Sequence, residues 1–297
     1  MAQEAWGRWG TEDEAGAANT IGPAEVRNAA GLVRTGRVFS LAQPISPHTP
    51  VPAHRPGVSH FMGRDGGDYA AGARRPGGFQ FAEDTMVLPL HTGTHIDALC
   101  HAWCDDCLYN GWPGNSVRST TGALRCGVEK MPPILTRGVL LDIVRTRGAP
   151  AAPGDTIALP ELQAAAASTP LRPGDAVLIR TGWLESLSGP GHGSGPVDFN
   201  REPGIDVEGA LWLAKSGVAV VGADNFAIEA MPFPPGTVFP VHQRLIRDYG
   251  VPLLEGLRLR ELGEALREAG AAEFLFVATP LPIVGGTGSP VAPVAVL

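Results

Sequence analysis

Four apolar runs rich in β-branched residues, VLLDIV (139–144), AVLIRT (176–181), VAVVGA (218–223) and FLFVAT (274–279), constrain the fold more than any other feature. Runs of this kind, without polar alternation, read as strands covered on both faces. The segments PELQAAAAS (160–168), DVEGALWLAKSG (206–217) and ELGEALREAG (261–270) carry helical period and end signals. Strand and helix therefore alternate through the second half. The class is α/β, with mixed sheet or sheets flanked by helices.

The first half is less regular. PAEVRNAAGLVRTG (23–36) reads as a helix, with Pro23 suited to its first turn and Gly36 to its stop. VFSLAQP (38–44) reads as a strand, and TMVLPL (85–90) as a buried one. Residues 45–80 show neither period, which predicts a functional loop or lid. Residues 185–205 read as a surface loop. With no internal repeat and no linker, residues 1–297 form one domain with an N-terminal extension and a long loop at about 45–80.

Composition narrows the function. The chain is 44% apolar and 18% charged, with net charge −7 and no basic stripe, so a nucleic-acid surface is not expected. No stretch approaches the roughly 18 apolar residues of a membrane helix, and the first residues, MAQEAWGRWGTEDE, lack a signal peptide's basic start and apolar run. A cytoplasmic protein acting on a small molecule is the expectation. The four cysteines, Cys100, Cys104, Cys107 and Cys126, fit a reducing compartment.

HTGTHIDALCH (91–101) carries the chemistry. On a helix His91 and His95 would share a face, but Asp97 would point away from both. On an extended chain His91, His95, Asp97 and His101 all project to one side, because side chains alternate with period two. A straight strand would still hold His91 about 33 Å from His101, at ~3.3 Å per residue. The chain must bend, and Gly93 permits it. Two imidazoles and a carboxylate form an N,N,O set suited to Zn²⁺, Mn²⁺ or Fe²⁺ with positions open for water. His101, at the rim, could take a proton from that water; a second-metal ligand and a structural residue are its alternatives.

HxGTHxDxxxH resembles the signature of the cyclase-like metal-dependent hydrolases, which include bacterial kynurenine formamidases and isatin hydrolases. Other blocks are similar too: Trp9, Gly10, Asp13, Glu14, Gly16 and Asn19 near the start (a longer branch of the family), LIRTGW (178–183), GADNFAIEAMP (222–232), HQRLIRDYGVPLLE (242–255) and GSPV (288–291). The resemblance implies a swivelling β/β/α-like fold, a homodimer or homotetramer, and one or two divalent ions, Zn²⁺ or Mn²⁺. In formamidase-type members a His and a Glu of the 242–255 block complete a second metal position; the matching residues are His242 and Glu255. Locally, a helical turn from His242 to Gly250 followed by a strand could bring those two together. Leu99 stands where formamidases usually have proline, and the chain is longer, so formamidase activity itself does not transfer.

Other residues carry weaker signals. Asp224 follows a strand end, where α/β proteins place functional groups, though helix capping suits it equally. Phe61, Phe81, Trp103, Tyr109 and Trp112 are candidates for an aromatic pocket or for core; Phe61, Trp103 and Asp224 are the tentative substrate contacts. Cys104-x-x-Cys107 without a second pair is a weak metal signal. GHGSG (191–195) lacks the spacing of a serine nucleophile elbow.

The reading is a metal-dependent hydrolase that cleaves an amide, lactone or cyclic amide of a small, aromatic molecule. His91, His95 and Asp97 hold the metal, with His242 and Glu255 for a second ion, and His101 carries the proton. The alternatives are a cyclase or dehydratase using the same ion, and a metal-binding protein without catalysis.

Overall fold

The four apolar runs do become strands of one sheet. The computed structural model describes residues 5–187 and 197–297. Its nine-stranded mixed sheet runs, in spatial order, through Val38–Ser40, Val294–Val296, Glu273–Ala278, Ile134–Asp142, Ala176–Arg180, Val220–Ala223, Leu253–Glu255, His95–Asp97 and Gly288–Pro290. The strands from Ile134–Asp142 to Leu253–Glu255 are mutually parallel. Antiparallel strands complete the sheet on both sides. Ala176–Arg180 and Val220–Ala223 are buried throughout, as strands covered on both faces must be. Glu273–Ala278 instead alternates between buried and half-buried residues.

Helices Pro23–Ala30, Leu159–Ala166, Val207–Lys215 and Arg260–Ala269 fall where their period placed them. Asp206 caps the third of these, its carboxylate accepting from the Gly209 N–H at 2.7 Å. The last buries Leu262, Ala265 and Leu266, a spacing of three and four that lines one helical face. Among the described residues no helix is long and apolar enough to cross a membrane.

Two stretches differ from expectation. TMVLPL is not a buried strand: Glu83–Val87 is exposed along its length and pairs with Ser59–Arg64 in a separate hairpin. Residues 45–80 are not structureless, since they hold Ser59–Arg64 and the short helix Gly66–Ala70, capped by Asp65. Elements of five or six residues are too short to impose a visible period. Of the loop expected over 185–205, the GHGSG segment and the rest of residues 188–196 lie outside the described residues, while its ends run into the short helix Trp183–Ser186 and the strand Gly204–Ile205.

The N-terminal extension is a clasp. Asp13 accepts from the N–H groups of Ala15 and Gly16, from Asn19 Nδ2 at 2.7 Å and from the Tyr109 hydroxyl at 2.9 Å. Glu14 accepts from the Cys126 N–H at 2.7 Å and from Arg125 at 3.0 Å. The Trp6 indole donates to the Arg247 carbonyl at 2.9 Å. The opening motif thus fastens residues 5–20 to the 109–126 and 247–250 segments.

Candidate metal centre and its cavity

Sheet register builds the site. His95 pairs directly with Glu255 and Asp97 with Leu253 on the neighbouring strand. Cross-strand partners share a face, and so do residues two apart on one strand; His95, Asp97 and Glu255 therefore converge. Glu255 also ends a parallel strand, the position where α/β sheets present functional groups.

Only His95–Asp97 of the motif is extended. Gly93, at φ +58°, makes the bend that returns His91 to the cluster. His101 arrives by a turn, its N–H bonded to the Ala98 carbonyl at 2.9 Å, not by continued alternation. The His91 ring fits because Gly288 lies opposite Asp97: a Cβ there would stand 2.7 Å from His91 Cε1.

His242 comes from the far side of the chain. It precedes a π-helical turn, Gln243–Asp248, a rare geometry found often at functional sites. Glu229 accepts at 2.7 Å from His242 Nδ1 and also from the N–H groups of Val241 and His242. That leaves His242 Nε2 facing Glu255 Oε1 at 3.3 Å and Asp97 Oδ2 at 3.8 Å. His95 is oriented likewise, Nδ1 bonding the Gly93 carbonyl at 2.9 Å and Nε2 facing Glu255 Oε2 at 3.1 Å and Asp97 Oδ1 at 3.7 Å. A histidine whose outer nitrogen is held by an acceptor presents its other nitrogen to a metal in a fixed direction.

Three buried polar atoms here have no hydrogen-bond partner: His95 Nε2, Asp97 Oδ2 and Glu255 Oε1. Buried polar atoms are nearly always satisfied, so each orphan calls for an explanation. A divalent cation supplies one. Ligands at about 2.0–2.2 Å from one ion lie roughly 3–4 Å from each other. Separations from 3.1 Å (His95 to Glu255) to 4.0 Å (His101 Nε2 to Asp97 Oδ2) fall in that range. Two ligand groups emerge, His91–Asp97–His101 and Asp97–His242–Glu255, and they share Asp97. His91 differs from the others in having both ring nitrogens engaged, with Asp97 Oδ1 at 2.7 Å and Thr287 Oγ1 at 3.0 Å.

The electrostatics match a cation site. Burial opposes the charge on Asp97, but His101, His91 and His95 outweigh it and hold its carboxyl well below the usual carboxylate range. Burial and Asp97 oppose the charge on Glu255, yet His242 and His95 keep it lowered. Burial works against the His242 imidazolium, but Glu229 and Glu255 outweigh it and raise its pKa to about 10. Burial, helped by the neighbouring His91 and His242, depresses His101 to about 4 against the pull of Asp97, so its imidazole is neutral at pH 7.

Part of the cluster lines a cavity of about 1030 Å³, a size suited to small-molecule ligands. His101, His242 and Glu255 line it, as do Trp103, Phe199, Phe226, Phe233 and Phe239. Phe226 lies nearly parallel to the His95 ring, centroids 6.5 Å apart, and Phe239 meets the His242 ring edge-on at 4.9 Å. A smaller cleft of about 500 Å³, between residues 39–44 and 257–262, contains none of the clustered residues.

The tentative substrate contacts divide. Trp103 lines the cavity. Phe61 does not: it lies on the outlying hairpin, 60% exposed. Tyr109 is core, and its hydroxyl serves the clasp, as does the Trp112 indole. Phe81 packs on the hairpin segment with Phe79 and Arg75. Asp224 is sealed away from the cavity, accepting from Thr181 N–H at 2.9 Å, Thr181 Oγ1 at 2.6 Å and Gly182 N–H at 2.7 Å. It ties two strand ends together. The cysteines are free, and Cys100 is buried with its thiol toward the Gly286 carbonyl. Sequence reasoning missed Glu229, Phe226 and Phe239; only the GADNFAIEAMP block, which contains the first two, marked their neighbourhood.

This fold and this arrangement define an α/β protein with a candidate metal centre under an aromatic cavity. The family model described as "Putative cyclase" matches residues 39–230, and the chain belongs to this cyclase family. It is 40% identical to a "novel cyclase" of known crystal structure, with TM-score 0.91 over 98% of this chain and 99% of that one. Isatin hydrolase A from Ralstonia solanacearum shares the fold at 21% identity, TM-score 0.62, with 87% and 91% covered. A "predicted metal-dependent hydrolase" from Bacillus stearothermophilus does so at 21% identity, TM-score 0.56, with 88% and 98% covered. No curated protein matches the chain.

Proposed function

We propose that this protein is a metal-dependent hydrolase that opens or cleaves a cyclic amide, lactone or other amide of a small aromatic molecule. The observation that carries this reading is the convergence of three orphaned buried atoms, on His95, Asp97 and Glu255, beside an aromatic cavity. The fold shared with isatin hydrolase A supports it.

Asp97, His242 and Glu255 would hold one ion, and His91, with Asp97 and either His95, as the sequence motif suggests, or His101, as the ligand-atom spacing groups them, a second. Nitrogen and oxygen donors in this mixture suit Zn²⁺ or Mn²⁺. A bound divalent cation supplies Lewis-acid polarisation of the substrate carbonyl and lowers the pKa of the attacking water from ~15.7 towards 7. The chain's own residues do the rest. The Phe226, Phe239 and Trp103 side chains hold a flat ring and restrict water. His101, neutral and at the cavity wall, takes the proton that water loses. Glu229 holds His242 Nδ1 and so keeps Nε2 turned inward.

The test is a panel of aryl formamides, cyclic amides and lactones assayed in ¹⁸O-labelled water after loading with Zn²⁺ or Mn²⁺. Label should enter the product's new carboxyl, and chelation should abolish turnover. Product formed without label would contradict hydrolysis and leave a cyclase or dehydratase.

A further inference from the structure

Glu202 is a buried acid of the cavity that the cluster above does not use. The residue is 1% exposed, yet it stands in the wall shared with His101, His242 and Glu255. Its position is fixed from several directions. Oε2 accepts from the Phe226 N–H at 2.6 Å, and the Ala227 N–H also bonds the carboxyl. Its own carbonyl accepts from the Met231 N–H at 2.9 Å, and the next carbonyl, of Pro203, accepts from Asn225 Nδ2 at 2.6 Å. Phe226, whose ring lies over His95, thus joins the acid to the candidate metal centre.

No Arg, Lys or His pairs with Glu202 among the described residues, unlike Arg180 with Glu185 or Arg137 with Asp175. A buried carboxylate without a cation is costly, and the cheaper state is the neutral acid. Burial, with Glu255 and Asp224 adding like charge, raises Glu202 to about 8 against the two N–H groups. Asp198, His54, Arg55, His101 and His242 are the other titratable groups of the cavity. The cavity wall therefore carries, beside the His101 imidazole, a buried carboxyl that no cation neutralises.

We propose that Glu202 is a further catalytic residue, the acid that protonates the leaving nitrogen or oxygen of the scissile bond from the aromatic wall. The inference rests on the hydrolase reading. Water's oxygen forms the new bond to the acyl carbon, and its proton passes to His101. The C–N or C–O bond breaks, its electron pair staying on the leaving atom, which takes the proton from the Glu202 carboxyl. Solvent then carries a proton from His101 back to Glu202, and the net reaction consumes one water.

The test compares the metal-loaded wild type with Glu202→Gln, whose side-chain oxygen can still accept from Phe226. An aryl formamide has a poor leaving group that needs protonation; a p-nitrophenyl ester does not. The variant should lose ~10²–10⁴-fold in kcat on the formamide, the usual contribution of a general acid, while the ester is nearly unaffected. The fall in wild-type rate as pH rises through Glu202's pKa should vanish in the variant. A protonated-carboxyl band in the infrared spectrum at neutral pH should also be lost. Equal losses on both substrates, or no such band, would overturn the role. A wild type that cleaves neither compound nor any member of the wider panel would instead overturn the hydrolase reading, and the acid with it.

Discussion

Asp97 and Asp224 are both fully buried aspartates at strand ends, and they could hardly differ more. Asp224 has three donors within 2.9 Å shared over its two oxygens. Asp97 has an oxygen, Oδ2, with no hydrogen-bond partner, and His95 and Glu255 beside it each carry another such atom. The clasp repeats the first pattern, with Asp13 and Glu14 satisfied by backbone and side-chain donors. Arg64 Nε, Ser116 Oγ and Asn225 Oδ1 are also buried without a partner, but each stands on a residue outside the ligand groups. Three open atoms on neighbouring His95, Asp97 and Glu255, left so at a cost to the folded chain, are what a bound cation would account for.

Four substitutions would break or sharpen this contrast. His95→Ala should have the largest effect, removing both bound metal and turnover, read by elemental analysis and the hydrolysis assay. His101→Ala should keep its metal and lose ~10²–10⁴-fold in kcat; a metal-free His101→Ala would make His101 a ligand, as its place in the His91–Asp97–His101 group allows. Glu229→Gln should weaken metal binding by ~10–100-fold, the usual cost of losing the partner that orients a ligating histidine, measured by competition with a chelator. Asp224→Ala should retain metal and active-site chemistry while losing stability, about 1–3 kcal/mol for each buried donor left unpaired, seen in denaturant unfolding. Metal loss in Asp224→Ala at unchanged stability would erase the distinction.

The sequence displayed much of this and hid the rest for identifiable reasons. Long apolar runs announced the sheet, most plainly Ala176–Arg180 and Val220–Ala223, which are covered on both faces. The HTGTHIDALCH spacing announced the convergence of His95 and Asp97, and the family block pointed to His242 and Glu255, which strand register and the π-turn bring in. The hairpin escapes the sequence because TMVLPL is apolar yet exposed over Thr85–Val87 and only half-buried beyond. Asp224 was ambiguous because a strand end suits a brace as well as a catalytic group, and only its three donors decide. Glu202 and Glu229 were invisible, since a single acid in an irregular segment has no period and its burial is set by residues far along the chain.

The most direct test of the open-valence account is the metal content of the protein, determined by elemental analysis after incubation with Zn²⁺ or Mn²⁺ and removal of free ion, with Asp97→Asn alongside. One or two tightly held ions per chain, lost in Asp97→Asn, is the predicted result, because both ligand groups share Asp97. A wild type that retains no ion, or an Asp97→Asn variant that retains the full complement, would contradict it.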